Sequence, residues 1–251
     1  MSGKLVLLRH GQSTWNEQNL FTGWHDVPLT TKGEQEARSA GETLRKAGIK
    51  FDLAFSSLLI RATETSRLAL ESMGQPEIET KYDWRLNERH YGTLQGLDKK
   101  ATTARYGAEQ TNIWRRSYDI APPPVDVSSP EHPTRDPRYT NIPATELPAT
   151  ECLKDVVARI AKYFDENIAP ELRQGRNVLV TSHGNSLRAL VMHLENLSAT
   201  QIAEFNIPTG TPRLYEFASD LRVIKVGYLG DQIAIAQATK AVADQASGSS
   251  H

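Results

Sequence analysis

The chain contains a single cysteine, Cys152, among its 251 residues. A lone cysteine cannot form a disulfide bond within the chain, and no basic group is paired with it in sequence to activate its thiol. We therefore interpret Cys152 as a small residue on a helix. The cysteine count excludes an internal disulfide framework and gives no support to thiol chemistry.

The sequence also lacks a charge excess and a long hydrophobic run. Its 29 basic and 30 acidic residues give a formal net charge of −1, which does not favour nucleic acid or a membrane surface as a partner. No apolar run reaches the length that crosses a bilayer, and the residues before Leu5 lack the apolar core of a signal peptide. We expect a cytoplasmic protein.

Short apolar runs alternate with helical patterns along most of the chain. The runs predict buried strands at residues 5–8, 52–55 and 178–180, and two late strands at 212–217 and 223–228. Apolar residues at three- and four-residue spacing predict helices at about 31–46, 58–73, 151–168 and 187–194. This alternation predicts an α/β fold, with a mostly parallel sheet flanked by helices on both faces.

One segment, from about residue 88 to 150, interrupts the alternation. It holds eight of the 13 prolines, all between Pro122 and Pro148. A long proline-rich stretch inside a compact domain is either a linker or a functional lid, and we expect a partly helical lid over the site. We assign this insertion and a mobile C-terminal tail at about 231–251 to a single α/β domain spanning residues 1–251.

Two histidines follow apolar strands and precede glycines, in the segments Arg9-His10-Gly11 and Ser182-His183-Gly184. Ligands of parallel α/β sheets bind at the carboxyl ends of the strands, so we expect both histidines at one site. A metal site is disfavoured, because Arg9 stands beside His10 and no cysteine or carboxylate lies at ligand spacing.

Cationic residues accompany this predicted site. Arg61 begins a helix just beyond a strand end, and residues 85–116 hold seven basic and three acidic side chains, which is +4 in a chain of net charge −1. Guanidinium groups bind phosphate oxygens in bidentate pairs, and positive neighbours keep an imidazole unprotonated and nucleophilic. The combination predicts phosphoryl transfer through a phosphohistidine, with arginines stabilising the negative charge of the transferring group.

Longer motifs resemble those of one family. They are LRHGQSTWN at 8–16, FTGW at 21–24, SLLIRA at 57–62, RLNERHYGTLQGL at 85–97, WRRSY at 114–118, SHGNSLRAL at 182–190 and NIPTG at 206–210. By these motifs, the chain resembles the cofactor-dependent phosphoglycerate mutases, a branch of the histidine phosphatase superfamily, over about residues 4–230. Gln12 replaces the glutamate usual in that family, and Thr181 replaces an alanine.

The resemblance implies an isomerase that interconverts 3-phosphoglycerate and 2-phosphoglycerate in glycolysis and gluconeogenesis. By it, His10 carries the phosphoryl group. The other implied catalytic residues are Arg9, Arg61, Glu88 and His183, with Glu88 exchanging a proton with the substrate hydroxyl. The implied substrate-binding residues are Ser13, Asn16, Thr22, Gly23, Arg89, His90, Tyr91, Lys99, Arg115, Arg116, Gly184 and Asn185. The resemblance further implies 2,3-bisphosphoglycerate as primer, no metal, and a homodimer or homotetramer.

Two other functions remain open from the residues themselves. One is a phosphatase on the same scaffold, which would use His10 to release inorganic phosphate from small phosphate esters. The other is a non-catalytic module that binds phosphorylated anions, although such a module has no need of Glu88. A serine nucleophile is excluded, because Arg188 stands where the nucleophile motif needs glycine, and no Walker-type loop is present.

Overall fold

A six-stranded sheet forms the centre of the computed structural model, which describes residues 2–247. The strands are β1 (Leu5–Arg9), β2 (Leu53–Ser56), β3 (Thr80–Tyr82), β4 (Val178–Ser182), β5 (Arg213–Phe217) and β6 (Val223–Tyr228). Their order is β3-β2-β4-β1-β5-β6. The first four strands are parallel, whereas β5 pairs antiparallel with both β1 and β6. The predicted α/β fold with a mostly parallel sheet is confirmed.

Helices cover both faces of the sheet. Successive strand residues point to opposite faces, so an apolar strand buries side chains beneath the helices on each side. Leu5 and Leu7 of β1 belong to a buried cluster with α6 (Leu153–Tyr163) and α8 (Gly184–Glu195). Val6 and Leu8 belong to a second cluster with α2 (Thr31–Lys46) and α3 (Ile60–Met73). The continuous apolar run of β1 is thus explained by burial on both faces.

The remaining helices are short, apart from the last. They are α1 (Thr14–Glu17), α4 (Lys99–Tyr106), α5 (Ala108–Arg116), α7 (Ala169–Arg173), α9 (Ala199–Glu204) and α10 (Gln232–Ser247). The helix expected at 151–168 begins at Leu153 and ends in a π-helical turn, Phe164–Ile168. Sequence patterns did not predict β3, because it is a three-residue edge strand without an apolar run.

The insertion has two different halves. Its first half contains α4 and α5, and its proline-rich half contains the short 3-10 turns Pro133–Arg135, Pro137–Tyr139 and Ala144–Glu146. Tyr139 and Leu147 from the second half pack with Trp24 and Trp84 in a small buried cluster. The expectation of a partly helical segment is therefore met by the first half.

The C-terminal segment forms a helix in the described part of the chain. Residues 232–247 are helical, and the final residues of the expected mobile tail, 248–251, lie outside the described region. Mobility of this segment stays a prediction. Across residues 2–247, none of the helices combines the length and apolar character needed to span a bilayer.

Candidate active site

Strand pairing brings the two predicted histidines together. Arg9 at the end of β1 is in register with Ser182 at the end of β4, and the His10 N–H donates to the Ser182 carbonyl at 3.0 Å. The residue that follows each of these two strands is a histidine, and the His10 and His183 ring centroids lie 5.0 Å apart. Both rings are buried. The sequence expectation of one shared site at this sheet edge agrees with this placement.

Glycine follows His10 because the chain passes very close to α2. A Cβ atom at Gly11 would lie 2.1 Å from the carbonyl oxygen of Gly33, which is closer than side-chain atoms approach backbone. The Gly11 N–H donates to Thr65 Oγ1 at 3.1 Å. The loop after β1 is therefore held in one position directly beside the histidine.

The tautomer of His10 follows from its hydrogen bond. Nδ1 lies 2.7 Å from the carbonyl oxygen of Gly11, and a carbonyl only accepts, so Nδ1 carries the proton. Nε2 then keeps its lone pair. Burial, and next the cations of Arg61 and Arg9, hold the pKa of His10 well below its usual 6.5. The ring is thus a neutral imidazole with a nucleophilic nitrogen.

His183 has one partnered and one unpartnered nitrogen. Nε2 lies 2.7 Å from Ser57 Oγ, whereas Nδ1 is buried without a hydrogen-bond partner among residues 2–247. When the Ser57 hydroxyl donates to Nε2, Nδ1 bears the proton and can donate to an oxygen beside His10. Burial, followed by the charge of Arg61, holds the pKa of His183 well below 6.5.

Arg9 and Arg61 are anchored by backbone carbonyls. Arg61 Nη1 donates to the His25 carbonyl at 2.8 Å, and Nη2 donates to the Gly23 carbonyl at 2.7 Å. Arg9 Nη1 donates to the Ile207 carbonyl at 2.7 Å. Within the described chain, neither guanidinium forms an ion pair with a carboxylate, so their charge remains available to an anion.

Burial lowers the pKa of both arginines, and that of Arg61 falls to about 10, while Glu88 opposes the shift in each case. Both groups are still cations near neutral pH. A buried cation with no counterion gains free energy when an anion binds beside it. Arg9 and Arg61 are therefore well suited to hold a phosphoryl group next to His10.

Glu88 reaches the same cavity from a different part of the chain. Its Oε1 accepts hydrogen bonds from the Arg89 N–H at 2.8 Å and from the Asn185 N–H, in the first turn of α8, at 3.1 Å. Neighbouring Arg85 points away and pairs with Asp83. Among the described residues that line the cavity, Glu88 is the one acidic side chain.

The cavity gathers most of the residues that the sequence singled out. Thirteen of the 17 line it, namely Arg9, His10, Asn16, Thr22, Gly23, Arg61, Glu88, Tyr91, Lys99, Arg115, Arg116, Gly184 and Asn185. Lys99, Arg115 and Arg116 come from α4 and α5. From the described part of the proline-rich half, residues 122–148, no side chain lines it. The α4–α5 half thus forms a wall of the cavity, and the proline-rich half packs against Trp24 and Trp84 instead.

The other four residues lie behind or beside the lining. His183 contacts His10, and Ser13 caps α1 by accepting from the Asn16 N–H at 3.2 Å. Arg89 stacks on the Tyr91 ring at 4.4 Å and donates to the Arg115 carbonyl. His90 Nδ1 accepts from the Gly92 N–H at 3.1 Å. Ser13 and Arg89 therefore contact residues that line the cavity, whereas His90 contacts Gly92, which does not line it.

Sequence patterns did not identify six further lining residues. These are Leu20, Phe21, Arg188, Asn206, Ile207 and Val242. Asn206 belongs to the NIPTG motif, to which no role was given, and its Oδ1 accepts from Arg116 Nη2 at 3.1 Å. Arg188 follows Asn185 by one helical turn, which is a spacing signal that would have placed it near the site.

The cavity is strongly cationic. Five arginines and one lysine line it, against the single carboxylate of Glu88. Burial lowers the pKa of Lys99 to about 8, with Arg115 adding to the shift. Burial likewise lowers the pKa of Arg115 and of Arg116. This positive charge matches a ligand with several negative charges. No cluster of three or more potential metal ligands occurs in residues 2–247.

The buried histidines predict how stability depends on pH. The pKa values of His10 and His183 lie well below 6.5, and that of His90 is about 3, all chiefly through burial. Below about pH 6.5 these histidines bind protons in the unfolded chain but not in the folded chain. The free energy of unfolding therefore decreases as the pH is lowered, by at most about 1.4 kcal/mol per pH unit per histidine. Urea unfolding between about pH 7 and 5 measures this slope. A flat profile would contradict neutral buried histidines.

Two sequence comparisons match most of the chain. A sequence model described as the histidine phosphatase superfamily (branch 1) matches residues 5–135 and 128–227. The 2,3-bisphosphoglycerate-dependent phosphoglycerate mutase of Borreliella burgdorferi (strain ZS7) is 54% identical over 242 residues, which cover 96% of this chain and 98% of that protein. The protein of the same name from Borreliella afzelii (strain PKo) matches with the same identity and coverage.

Among solved structures, a mycobacterial glucosyl-3-phosphoglycerate phosphatase superposes with a TM-score of 0.66 at 26% identity, covering 91% of this chain and 97% of that one. The similarity at 54% identity is therefore to mutases, whereas this more distant structural similarity is to a phosphatase.

Proposed function

The chain belongs to the histidine phosphatase superfamily, and on that premise we propose that it is an enzyme interconverting 3-phosphoglycerate and 2-phosphoglycerate. The relatives that share 54% of their residues over nearly the full length of both chains are named for this activity. The reaction belongs to glycolysis and gluconeogenesis.

The observation that carries the proposal is the environment of His10. His10 keeps a free lone pair on Nε2 and lines a cavity together with two carbonyl-anchored arginines and one carboxylate, and the ring of His183 contacts it from behind the lining. Phosphoryl transfer needs a nucleophile, fixed positive charge and a group that exchanges a proton with the acceptor hydroxyl. A module that only binds anions needs no such carboxylate, so we set that alternative aside.

In the proposed reaction, phosphorylated His10 transfers its group to the free hydroxyl of a phosphoglycerate. The Nε2–phosphorus bond breaks, an oxygen–phosphorus bond forms, and Glu88 takes the hydroxyl proton. The product is 2,3-bisphosphoglycerate, which reorients within the cavity. His10 Nε2 then attacks the other phosphate, and Glu88 returns the proton to the departing alkoxide. Arg9, Arg61 and His183 would stabilise the phosphoryl oxygens in both steps.

The proposed primer, 2,3-bisphosphoglycerate, fits the charge of the cavity. Two phosphates and a carboxylate would face five guanidinium groups and one ammonium group. We assign substrate binding to Asn16, Thr22, Gly23, Tyr91, Lys99, Arg115, Arg116, Gly184 and Asn185, supported by Ser13, Arg89 and His90. The proposed chemistry needs no metal, since arginines supply the positive charge. A cytoplasmic location and a homodimer or homotetramer complete the proposal and rest on the resemblance.

A phosphatase is the second candidate, because the structural neighbour with 26% identity carries that name. The two functions differ in whether water reaches the phosphohistidine. The α4–α5 wall carries Lys99, Arg115 and Arg116 into the cavity, and exclusion of water by this wall would favour transfer to a hydroxyl.

The test separates both functions in one assay. The protein is incubated with 3-phosphoglycerate and catalytic 2,3-bisphosphoglycerate, and 2-phosphoglycerate and inorganic phosphate are measured together. We expect 2-phosphoglycerate to form, to depend on the bisphosphate, and to exceed inorganic phosphate. Inorganic phosphate as the main product would make the protein a phosphatase, and the absence of both products would refute catalysis.

A further inference from the structure

Arg188 is a buried cation at the cavity to which the proposed reaction assigns only its positive charge. It lies on α8, its exposed fraction is 5%, and it lines the cavity. Arg188 Nε and Nη2 both donate to the Ile202 carbonyl on α9, at 3.2 and 2.5 Å. Its Nη1 donates to Asn185 Oδ1 at 2.9 Å. A guanidinium group thus joins α9 to the first turn of α8.

The contact with Arg188 determines which way the Asn185 amide faces. Arginine has only donors, so the amide atom that faces it must be the oxygen. The Asn185 NH2 group then points the other way, and Nδ2 donates to the Tyr91 hydroxyl at 3.1 Å. Without Arg188, either orientation of the amide would be open, and one of them would present an oxygen to Tyr91.

The orientation of Asn185 reaches the cavity through Tyr91. The Tyr91 oxygen accepts from Asn185, which leaves the hydroxyl proton of Tyr91 available to an oxygen of a bound anion. The same asparagine donates its backbone N–H to Glu88 Oε1. Asn185 therefore connects an anion-binding hydroxyl with the one carboxylate among the described lining residues.

We propose that Arg188 is a positioning residue that fixes the Asn185 amide as a donor, and so orients the Tyr91 hydroxyl toward a phosphoglycerate. The proposal rests on the proposed function for the identity of the ligand. The contrasting role is purely structural, in which Arg188 only fastens α9 to α8. A structural role would affect stability without changing how the folded protein binds its ligand.

The experiment measures 3-phosphoglycerate affinity by calorimetry in a His10→Ala background, where no phosphoryl transfer can occur. Loss of a hydrogen bond to a charged partner in a buried site leads us to expect about 30-fold weaker binding for Arg188→Met. Arg188→Lys, which keeps a charged donor, should recover part of the affinity. Arg213→Met is the matched control, because Arg213 is also buried but pairs with Glu195 outside the cavity. We expect it to lower the melting temperature and leave affinity unchanged.

A double-mutant cycle tests whether Arg188 affects ligand binding through Asn185. If Arg188 acts through Asn185, Arg188→Met should weaken binding several-fold less in an Asn185→Ala background. Equal losses in both backgrounds, or an affinity unchanged by Arg188→Met, would refute the positioning role.

A second readout does not depend on the ligand. In NMR spectra, the Asn185 side-chain amide, identified by its absence in Asn185→Ala, should exchange slowly in the unsubstituted chain and rapidly in Arg188→Met. Slow exchange in both would overturn the inference. Failure of the parent protein to bind 3-phosphoglycerate, with the amide still protected by Arg188, would instead refute the proposed function alone.

Discussion

His10→Ala is expected to lower the rate of 2-phosphoglycerate formation by at least about 10⁴-fold, because removal of a covalent nucleophile eliminates the chemical route that it provides. Nε2 of His10 is the nitrogen that bears the free lone pair, since Nδ1 is committed to the Gly11 carbonyl. Alanine also removes the acceptor of the phosphoryl group. We therefore expect no acid-labile phosphate on the variant after incubation with 2,3-bisphosphoglycerate.

The measurement pairs a rate assay with mass spectrometry of the intact protein at neutral pH. His193→Ala is a suitable control, because His193 lies on the far end of α8 and pairs with Asp165. It should be phosphorylated and active like the parent chain. A His10→Ala variant that keeps more than about one part in 10⁴ of the activity would place the nucleophile elsewhere.

Glu88→Gln is expected to lower kcat by about 10²- to 10⁴-fold, the range for loss of a general acid–base group. Glutamine keeps the size of the side chain and an oxygen that can accept from the Arg89 and Asn185 N–H groups. It cannot take a proton from the substrate hydroxyl. The KM for 3-phosphoglycerate should change only a few-fold, because the cationic lining is intact.

Steady-state kinetics with both phosphoglycerates measures this effect. Glu42→Gln, at an exposed position of α2, is the control and should match the parent chain. If Glu88→Gln raised KM and left kcat unchanged, Glu88 would serve in binding, and the proton would be transferred by another group.

In the insertion, the proline-rich residues are not the ones that line the cavity. The proline content of residues 122–148 predicts that they form part of a lid. In the structure, Tyr139 from this half packs against Trp24, and its hydroxyl accepts from Asn87 Nδ2 at 2.8 Å. Those contacts lie behind the loops that carry Gly23 and Glu88. The α4–α5 half instead supplies the cavity wall.

Much of the fold and the location of the site could be predicted from the sequence. A continuous apolar strand that is buried on both faces leaves a strong local pattern, and its end marks the sheet edge where ligands bind. This pattern therefore predicts that His10 and His183 share one site, although they are 173 residues apart. The position of Arg61 just after a strand end predicts that it belongs to the site, and the local positive charge predicts the same for the basic residues at 85–116.

The tertiary structure decided which groups those side chains contact. Arg9, Arg61 and Arg188 are anchored by backbone carbonyls of Gly23, His25, Ile202 and Ile207, and His10 by that of Gly11. Every residue carries a carbonyl group, so its presence in the sequence indicates no particular contact. Which carbonyl meets which arginine depends on loops that the fold brings together from distant parts of the chain. The tautomer of His10 follows from its contact with the Gly11 carbonyl, and the role proposed for Arg188 follows from its contact with the Asn185 amide. The three-residue spacing of Asn185 and Arg188 indicates that they are neighbours on α8, but only the structure shows which amide atom faces the guanidinium group.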